Sequence, residues 1–484
     1  CYTWSMSKLH HIASNTAIQM TGRAIGTVFG VLTIAVMTRT LGAEGYGHFT
    51  LAFTFLAVAG AIVDFGFTLT TTQMISEEGA DESRIVSSAM TVRIVSGIVL
   101  FGLAALVGTL MPYEPVVRTT IAVGAFSFFF MTLSQMFIGV FQKHLSMWRP
   151  AASEAMSRGL ILVLIVVLAA AQTSVPHMMG AFAVGNALMA LINILFARSF
   201  TRIQFLWDAR VIKTFISRSW PIAITIFFNL LYLKGDIVFM SFYRTSEEIG
   251  LYGAAYKVLD VISVVPTMFM GLILPMLVLA WTQKRRAEFH TLLQHAFDLF
   301  AIIALPILGG TLIMAGPLMA LAAGEEFRAS GPYLVLLMIA NTFVFFGILF
   351  AHAVVAVKKQ HAIIPAYVVT AVVAIVLYLV TIPDYGAYGA AWTTIVSEGM
   401  ILCFTFWMVR KTAAFSPQWN SFGVGLLSAV AMTALGFLYM QWAGNTTVST
   451  LLVVIIGCTA FYGVSVVALG GVRLSTLRSL LPRV

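Results

Sequence analysis

Long, uninterrupted apolar runs are the feature that most restricts what this sequence can fold into. Runs of about 20 or more apolar residues follow one another along the 484-residue chain, without the two-residue alternation of barrel strands. Each run predicts a transmembrane helix, because a helix satisfies its own backbone hydrogen bonds inside a bilayer. Only 10% of the residues are charged, against about a quarter in soluble domains. We therefore expect an all-α, polytopic membrane protein, and exclude a soluble enzyme, a disordered chain and a nucleic-acid-binding domain.

The apolar runs divide into about 14 candidate transmembrane helices of ordinary length. They are placed at 15–38, 47–74, 85–111, 116–140, 151–172, 176–197, 219–243, 249–280, 291–315, 330–357, 361–382, 386–409, 421–442 and 448–470. The connections that remain average about ten residues, which is too short for a separate soluble domain. Any function must therefore reside between helices, within the membrane.

The distribution of basic residues predicts the orientation of the chain. With the N-terminus on the cytoplasmic side, 19 of the 28 Lys and Arg residues fall in cytoplasmic segments and four on the opposite side. Because Lys and Arg are retained on the cytoplasmic side of membranes, this bias predicts that both termini are cytoplasmic. It also accounts for the net charge of +9 without a nucleic-acid partner.

Two connections with the same membrane orientation contain similar residues. A shift of 203 positions places Gly47 on Gly250, with an acidic residue three positions before each glycine. The same shift pairs Phe49 with Tyr252, Ala52 with Ala255, and Phe53 with Tyr256. Parallel repeats of this kind predict two pseudo-symmetric six-helix bundles around a central cavity, followed by two additional C-terminal helices. The expected divisions are 1–197 and 219–409 for the two bundles, 198–218 for a cytoplasmic linker, and 410–484 for the last two helices and tail.

These two connections carry a resemblance to a known family. The stretch 38–47, TRTLGAEGYG, resembles the first-loop signature of polysaccharide flippases in the multidrug/oligosaccharidyl-lipid/polysaccharide exporter superfamily. The stretch 247–257, EEIGLYGAAYK, is similar to the matching signature after the seventh span. Ala43 departs from the proline that is common in the family. The short Gly22-Arg23-Ala24 motif lacks the denser charged cluster of the lipid II branch.

The resemblance implies a flippase of the bacterial inner membrane. Such a protein moves a polyprenyl-diphosphate-linked oligosaccharide from the cytoplasmic to the outer leaflet for surface polysaccharide biosynthesis. The implied partners are this lipid-linked substrate, membrane lipids and glycan polymerase machinery. Two alternatives remain open: a cation-coupled multidrug exporter of the same fold, and a membrane glycan polymerase.

Ionisable residues inside the predicted spans are the candidate functional groups. Each costs about 2.5–3.5 kcal/mol when it faces lipid at a helix centre, so most must face the protein interior or a watery cavity. The candidate cavity cations are Arg23, Arg93, Arg158, Lys234 and Lys257. The candidate acids, for ion coupling or charge pairing, are Asp64, Glu154, Asp236, Asp260 and Glu398.

Helical spacing predicts two ion pairs among these residues. Glu154 and Arg158 are four residues apart, Lys257 and Asp260 are three apart, and both spacings place the partners on one helix face. Three of the bases, Arg23, Arg93 and Arg158, are predicted in the inner halves of their spans. Lys234 is predicted near mid-depth and Lys257 in the outer half. A diphosphate headgroup needs such cations, because Arg binds phosphate in bidentate fashion and Lys supplies a point charge. The acids are candidates for proton or cation coupling, or alternatively for neutralising the bases.

The sequence contains none of the motifs that would indicate catalysis. No Gly-Lys dipeptide is present, so there is no Walker A loop, and neither H-E-x-x-H nor G-x-S-x-G occurs. The three cysteines do not form a C-x-x-C motif, and we expect no disulfide, metal site or cofactor. A polymerase would need a large catalytic outer loop, which is not found. We therefore expect a non-enzyme.

Overall fold

The structure, a computed structural model, describes residues 6–444 and 447–471. Within these ranges the chain forms α-helices and one short 3₁₀ helix, with no strand. The side chains of residues 6–21 and of Arg23 and Asn229, among others in the seventh predicted span, lie outside the description. The helices are α1 (Met6–Asp64), α2 (Phe67–Ile75), α3 (Glu82–Leu110), α4 (Pro115–Gln135), α5 (Ile138–Lys143), α6 (Trp148–Ala170), α7 (Val175–Ala197), α8 (Ala209–Tyr243), α9 (Ser246–Thr282), α10 (Arg286–Ala323), α11 (Gly331–Ala356), α12 (Ile364–Ala413), α13 (Asn420–Ala443) and α14 (Val448–Ala468).

The all-helical, multi-pass membrane architecture predicted from the sequence is confirmed. Eleven helical stretches among the described residues are long and apolar enough to cross a membrane. Two of them contain an interior glycine with a left-handed backbone, Gly42 in α1 (φ 66°) and Gly386 in α12 (φ 55°). Glycine populates that conformation without the steric cost that a Cβ atom brings. Both glycines lie where one predicted span ends and the next begins. The count of 14 spans stays a prediction.

Two of the predicted spans are interrupted near their C-terminal ends. The span predicted at 47–74 breaks between α1 and α2, where Phe65 and Gly66 have φ angles of 44° and 72°. The span predicted at 116–140 breaks between α4 and α5. The short helices α2 and α5 pack together, and a Cβ added at Gly139 would lie 3.1 Å from the Cα of Thr72. Both predicted spans therefore contain a local break, and the short helices that follow the two breaks pack against each other.

The chain divides into two compact units, which meet in the sequence at Gly250 and Leu251. In the first unit α1 packs against α4, α6 and α8, while α4 packs against α7. In the second unit α10 packs against α11 and α13, α11 against α12, and α13 against α14. The division of the sequence into two six-helix bundles with a separate linker stays a prediction.

A ladder of polar side chains joins α4, α6 and α7 in the first unit. The Nδ2 group of Asn186 donates to the Oγ of Ser127 at 2.9 Å, and that of Asn193 donates to the Oγ of Ser134 at 2.6 Å. Ser153 donates to the Oδ1 of Asn193 at 2.7 Å. The two rungs are seven residues apart on both helices, so they share one face along a shallow helix crossing. Such hydrogen bonds help to hold membrane helices together, because lipid tails are as apolar as the helix surfaces and the hydrophobic effect does not favour helix association there.

The predicted linker runs along the first turns of α3 as an extended segment. The amide of Gln204 donates to the Oγ of Ser87 at 3.1 Å, and the amide of Leu206 donates to the Oγ1 of Thr91 at 2.9 Å. Ser87 also donates to the carbonyl of Arg202 at 3.3 Å. Ser87 and Thr91 are four residues apart on one face of α3, and Gln204 and Leu206 are alternate residues of the extended segment. The two pairs have similar spacings, so both hydrogen bonds can form. The linker is therefore attached to the first unit.

Candidate functional site

Arg93 of α3 occupies a buried polar cluster at the break between α1 and α2. Its side chain is 1% exposed, and its Nη2 lies 2.5 Å from the Oδ1 of Asp64 and 2.9 Å from the Oγ1 of Thr68. Its Nη1 donates to the carbonyl of Val63 at 3.1 Å. Thr68 completes the cluster by donating to Asp64 at 2.7 Å.

The helix break explains why a cation is needed at this position. The last carbonyls of a helix have no partner within the helix, and their partial negative charge attracts a cation. Arg93 satisfies the Val63 carbonyl and neutralises Asp64 at the same time. Thr68 was not singled out by sequence reasoning, although its position four residues after Asp64 is the signal that could have found it.

The predicted pair Glu154–Arg158 is confirmed on α6. The Nη2 of Arg158 lies 4.0 Å from the Oε1 of Glu154, and the two side chains are 43% and 39% exposed. Arg158 lies ten residues after the first residue of α6, which is about 15 Å along the helix. A Cβ added at Gly26 of α1 would lie 3.8 Å from Glu154 and 3.9 Å from Arg158. A loosely paired, partly exposed arginine therefore lies at mid-helix beside α1.

Arg23 lies on the same part of α1. Its neighbour Gly22 packs against α6, where an added Cβ would lie 2.6 Å from the Cβ of Ala151. Gly26, one turn later, approaches Glu154. The backbone therefore places Arg23 within one turn of the contact between α1 and α6. The side chain of Arg23 lies outside the described part of the chain.

Lys234 and Asp236 lie near the end of α8, where their spacing of two residues separates them on the helix surface. Asp236 is fully buried, and its Oδ1 accepts a hydrogen bond from the amide of Ile237 at 2.8 Å. Both residues have interaction partners in the folded chain.

In the second unit, the predicted pair Lys257–Asp260 is confirmed on α9. The Nζ of Lys257 lies 3.5 Å from the Oδ2 of Asp260, and the side chains are 39% and 34% exposed. Ser263, three residues after Asp260, donates to the Oδ1 of Asn341 on α11 at 2.7 Å. A polar strip therefore extends along the middle of α9.

Glu398 lies apart from these pairs, on the second half of α12. Its side chain is buried, and no basic side chain pairs with it among the residues that the structure describes. Arg93, Arg158 and Lys257 each have a carboxylate within 4.0 Å. Three of the five predicted cavity cations are thus neutralised, one tightly and two loosely.

Comparison with known proteins places the chain in a family. The family model described as "Polysaccharide biosynthesis protein" matches residues 12–281, which is more than half of the chain. The chain belongs to the polysaccharide biosynthesis protein family. The matched part of this polysaccharide biosynthesis protein includes both signature stretches, 38–47 and 247–257. No curated protein sequence matches the chain.

Solved structures of a flippase and of transporters share the fold of this chain. The lipid II flippase MurJ, in an inward closed conformation, is 14% identical, with 93% of this chain and 98% of that chain covered and a TM-score of 0.77. An inward-facing multidrug resistance MATE transporter of the MOP superfamily is 12% identical, with coverages of 82% and 98% and a TM-score of 0.66. A MOP superfamily transporter from Pyrococcus furiosus is 12% identical, with coverages of 84% and 96% and a TM-score of 0.57. At these identities the likeness concerns the fold.

Proposed function

We propose that this protein is a flippase that moves a polyprenyl-diphosphate-linked oligosaccharide from the cytoplasmic to the outer leaflet. The observation that carries the proposal is the half-exposed pair Glu154–Arg158 at mid-helix on α6. Each of these charges would cost about 2.5–3.5 kcal/mol against lipid, so the pair must face a hydrated, polar path. Family membership supports a glycan as the cargo, and the fold supports movement across the membrane rather than catalysis.

Pair geometry decides which of the cations we assign to the diphosphate. Arg158 is 4.0 Å from its carboxylate and exposed, so it can turn to a phosphate and bind it with two parallel hydrogen bonds. Lys257 is similarly accessible, with its carboxylate at 3.5 Å. Arg93 is buried and fixed by Asp64 at 2.5 Å. We therefore assign phosphate binding to Arg158 and Lys257, and a structural role to Arg93.

Arg23 and Lys234 complete the proposed set of substrate cations. Arg23 lies within one turn of the contact between α1 and α6, so a phosphate bound by Arg158 would be near its helix. The acids Glu154 and Asp260 would hold these cations in position when no substrate is bound. As the diphosphate arrives, it would replace the carboxylates as the partner of the bases.

Membrane potential supplies a driving force for this transport. In a bacterial inner membrane with both termini of the protein cytoplasmic, an inside-negative potential drives each negative charge outward by about 2.3 kcal/mol per 100 mV. A dianionic headgroup therefore does not require an ion as a co-substrate. Proton or cation coupling through Asp236 or Glu398 would add to this force.

Glu398 favours a second candidate function, cation-coupled drug export. A buried carboxylate without a described basic partner is the type of group that binds and releases a cation during transport. The fold shared with a multidrug resistance transporter is compatible with this function. The loosely paired bases on α6 and α9 argue for an anionic cargo instead.

A reconstituted flipping assay tests the proposal. Purified protein in liposomes would receive a fluorescent polyprenyl-diphosphate oligosaccharide, and a membrane-impermeant quencher would report the lipid reaching the outer leaflet. We expect quenching well beyond that of protein-free liposomes, and at least a tenfold lower rate for Arg158→Gln. The control Arg285→Gln removes an exposed i,i+3 pair with Glu288 at a helix start and should flip normally. Folded protein that flips no glycan lipid under an imposed potential, but exports a cationic dye, would place drug export first.

A glycan chain-length assay separates flipping from polymerisation. A strain that lacks a polymerase still displays single repeat units at its surface, whereas a strain that lacks the flippase displays none. We expect surface glycan to be absent when this gene is deleted and restored by the wild-type protein. Retained single units would instead support the polymerase alternative.

A further inference from the structure

Three potential metal ligands converge at one end of the first unit. They are Glu44 and His48, on the part of α1 that follows Gly42, and Glu114, immediately before α4. One ligand atom from each residue lies within 4.8 Å of the other two. The Nε2 of His48 and the Oε2 of Glu114 are 3.2 Å apart.

The state of His48 indicates that this cluster is more than a group of surface carboxylates. Its imidazole is buried, with a side chain only 8% exposed. Its Nε2 makes no hydrogen bond among the described residues, although the Oε2 of Glu114 lies 3.2 Å away. A buried polar atom without a partner is costly and requires an explanation. A metal ion held between the nitrogen and the two carboxylates supplies one.

The fold prepares this arrangement from positions that are distant in the sequence. Gly42 has a left-handed backbone and starts a new helical direction, after which Glu44 and His48 lie four residues apart on one face. Glu114 is held by its neighbour Tyr113, which is buried, contacts the Oγ of Ser241 through its hydroxyl at 3.0 Å and accepts a hydrogen bond from Arg118 at its carbonyl. The backbone beside the loop ligand is therefore anchored, while the Glu114 side chain is free to rotate.

The ligand set selects the class of metal. Imidazole nitrogen with two carboxylates suits zinc and related divalent transition metals, whereas calcium and magnesium prefer oxygen ligands alone. Ligand atoms at about 2.0–2.2 Å from a tetrahedral zinc ion stand about 3.3–3.6 Å apart. The 3.2 Å separation of the His48 and Glu114 atoms is close to this spacing. Glu44 and Glu114 are exposed, so their carboxylates can rotate inward to complete it.

We infer that Glu44, His48 and Glu114 form a binding site for one divalent transition-metal ion, with zinc as the preferred metal. The three protein ligands leave a fourth tetrahedral position open to solvent. The ion connects the start of the second segment of α1 to the start of α4, and so stabilises the first connection of the chain. Its ligands are different residues from those proposed to bind phosphate, which are Arg158 and Lys257. It differs from the expectation from the sequence that the chain has no metal site.

Zinc titration of the full-length protein in detergent or nanodiscs tests this inference. The metal-free protein would be titrated with ZnCl₂ in a calorimeter, and X-ray absorption would define the bound ion. We expect one zinc per chain, with one nitrogen and two or three oxygens at about 2.0–2.2 Å. His48→Gln and Glu114→Gln should each weaken binding at least tenfold. Glu44→Gln changes an exposed residue and keeps the test valid if His48→Gln fails to fold.

A matched histidine variant provides the control. His177 is an exposed histidine at the start of α7, where its Nδ1 contacts the Oγ of Ser174 at 2.8 Å. His177→Gln should retain the full zinc affinity. The absence of stoichiometric zinc in folded wild-type protein overturns the inference. Zinc binding that is equal in the wild type and in folded Glu44→Gln and Glu114→Gln variants overturns it as well.

Discussion

Gly47 and Gly250 lie so close together that neither position has room for a side chain. A Cβ added at Gly250 would lie 2.8 Å from the amide nitrogen of Gly47, and one added at Gly47 would lie 3.1 Å from that of Gly250. A Cβ at Gly47 would also overlap the backbone carbonyl of Ser246, and one at Gly250 would overlap that of Ala43. These are the two glycines that a shift of 203 residues superimposes in the sequence. The two positions that the predicted repeat makes equivalent therefore contact each other.

We expect Gly250→Ala to destabilise the protein by about 1–3 kcal/mol or more, the usual cost of overpacking a site. The atoms in the way belong to the backbone, so no side-chain rotation can relieve the overlap. Thermal unfolding of the purified variant measures the effect. Gly271→Ala is the control on the same helix, because its added Cβ meets nothing within 4 Å. Equal melting temperatures for Gly250→Ala and the wild type would contradict the close approach.

We expect Arg93→Gln to destabilise the fold by about 3–5 kcal/mol, because it leaves Asp64 charged without its partner. The double variant Arg93→Gln with Asp64→Asn should recover part of this loss. A double-mutant cycle on equilibrium unfolding measures the coupling. A single variant that is as stable as the wild type but cannot flip lipid would instead assign Arg93 to the substrate.

The proposed flipping activity should depend on Arg158 and much less on Glu154. Both side chains are exposed and 4.0 Å apart, so either substitution should leave the fold intact. Arg158→Gln should lower the flipping rate at least tenfold, whereas Arg158→Lys should retain part of it, because lysine keeps the charge without the bidentate geometry. Glu154→Gln should change the rate less than threefold. Equal loss of activity in Glu154→Gln and Arg158→Gln would make the intact pair, rather than the base, the functional element.

The attachment of the linker should weaken in acid. Arg84 donates to the Oδ2 of Asp208 at 2.6 Å, and this bond holds the pKa of the Asp208 carboxyl below its usual 3.8. A carboxyl whose pKa is lower in the folded than in the unfolded chain stabilises the folded state. The full contribution is present at pH values above the pKa of the carboxyl in the unfolded chain. The contribution is lost as the pH falls through the lowered value.

Hydrogen exchange tests this pH dependence. After correction for intrinsic rates, the amides of Gln204 and Leu206 should keep their protection from pH 8 to pH 5 and lose part of it below pH 4. Asp208→Asn retains a capping side chain for α8 but removes the titrating group. The protection of the Gln204 and Leu206 amides in this variant should therefore not change over this pH range. A wild-type profile that matches Asp208→Asn would show that the carboxylate does not hold the linker.

Some of the candidate site follows from the sequence because it depends on spacing along one helix. Glu154 and Arg158 pair across one helical turn, as do Lys257 and Asp260. Because exposing a charge to lipid costs free energy, all four residues are expected to face the protein interior or a polar path. The partner of Arg93 does not follow in this way. Asp64 is 29 residues away, and only the break after α1 brings its carboxylate to the guanidinium.

The sequence by itself determined the membrane class, the helical architecture and the 203-residue spacing that matches Gly47 with Gly250. These properties depend on local hydropathy, backbone hydrogen bonding and residue type, all of which are written along one stretch of chain. The tertiary structure decided the breaks inside the spans, the pairing of Arg93 with Asp64 and the convergence of His48 with Glu114. Contacts of this kind depend on how helices pack, and residues 66 positions apart carry no spacing signal that predicts their meeting.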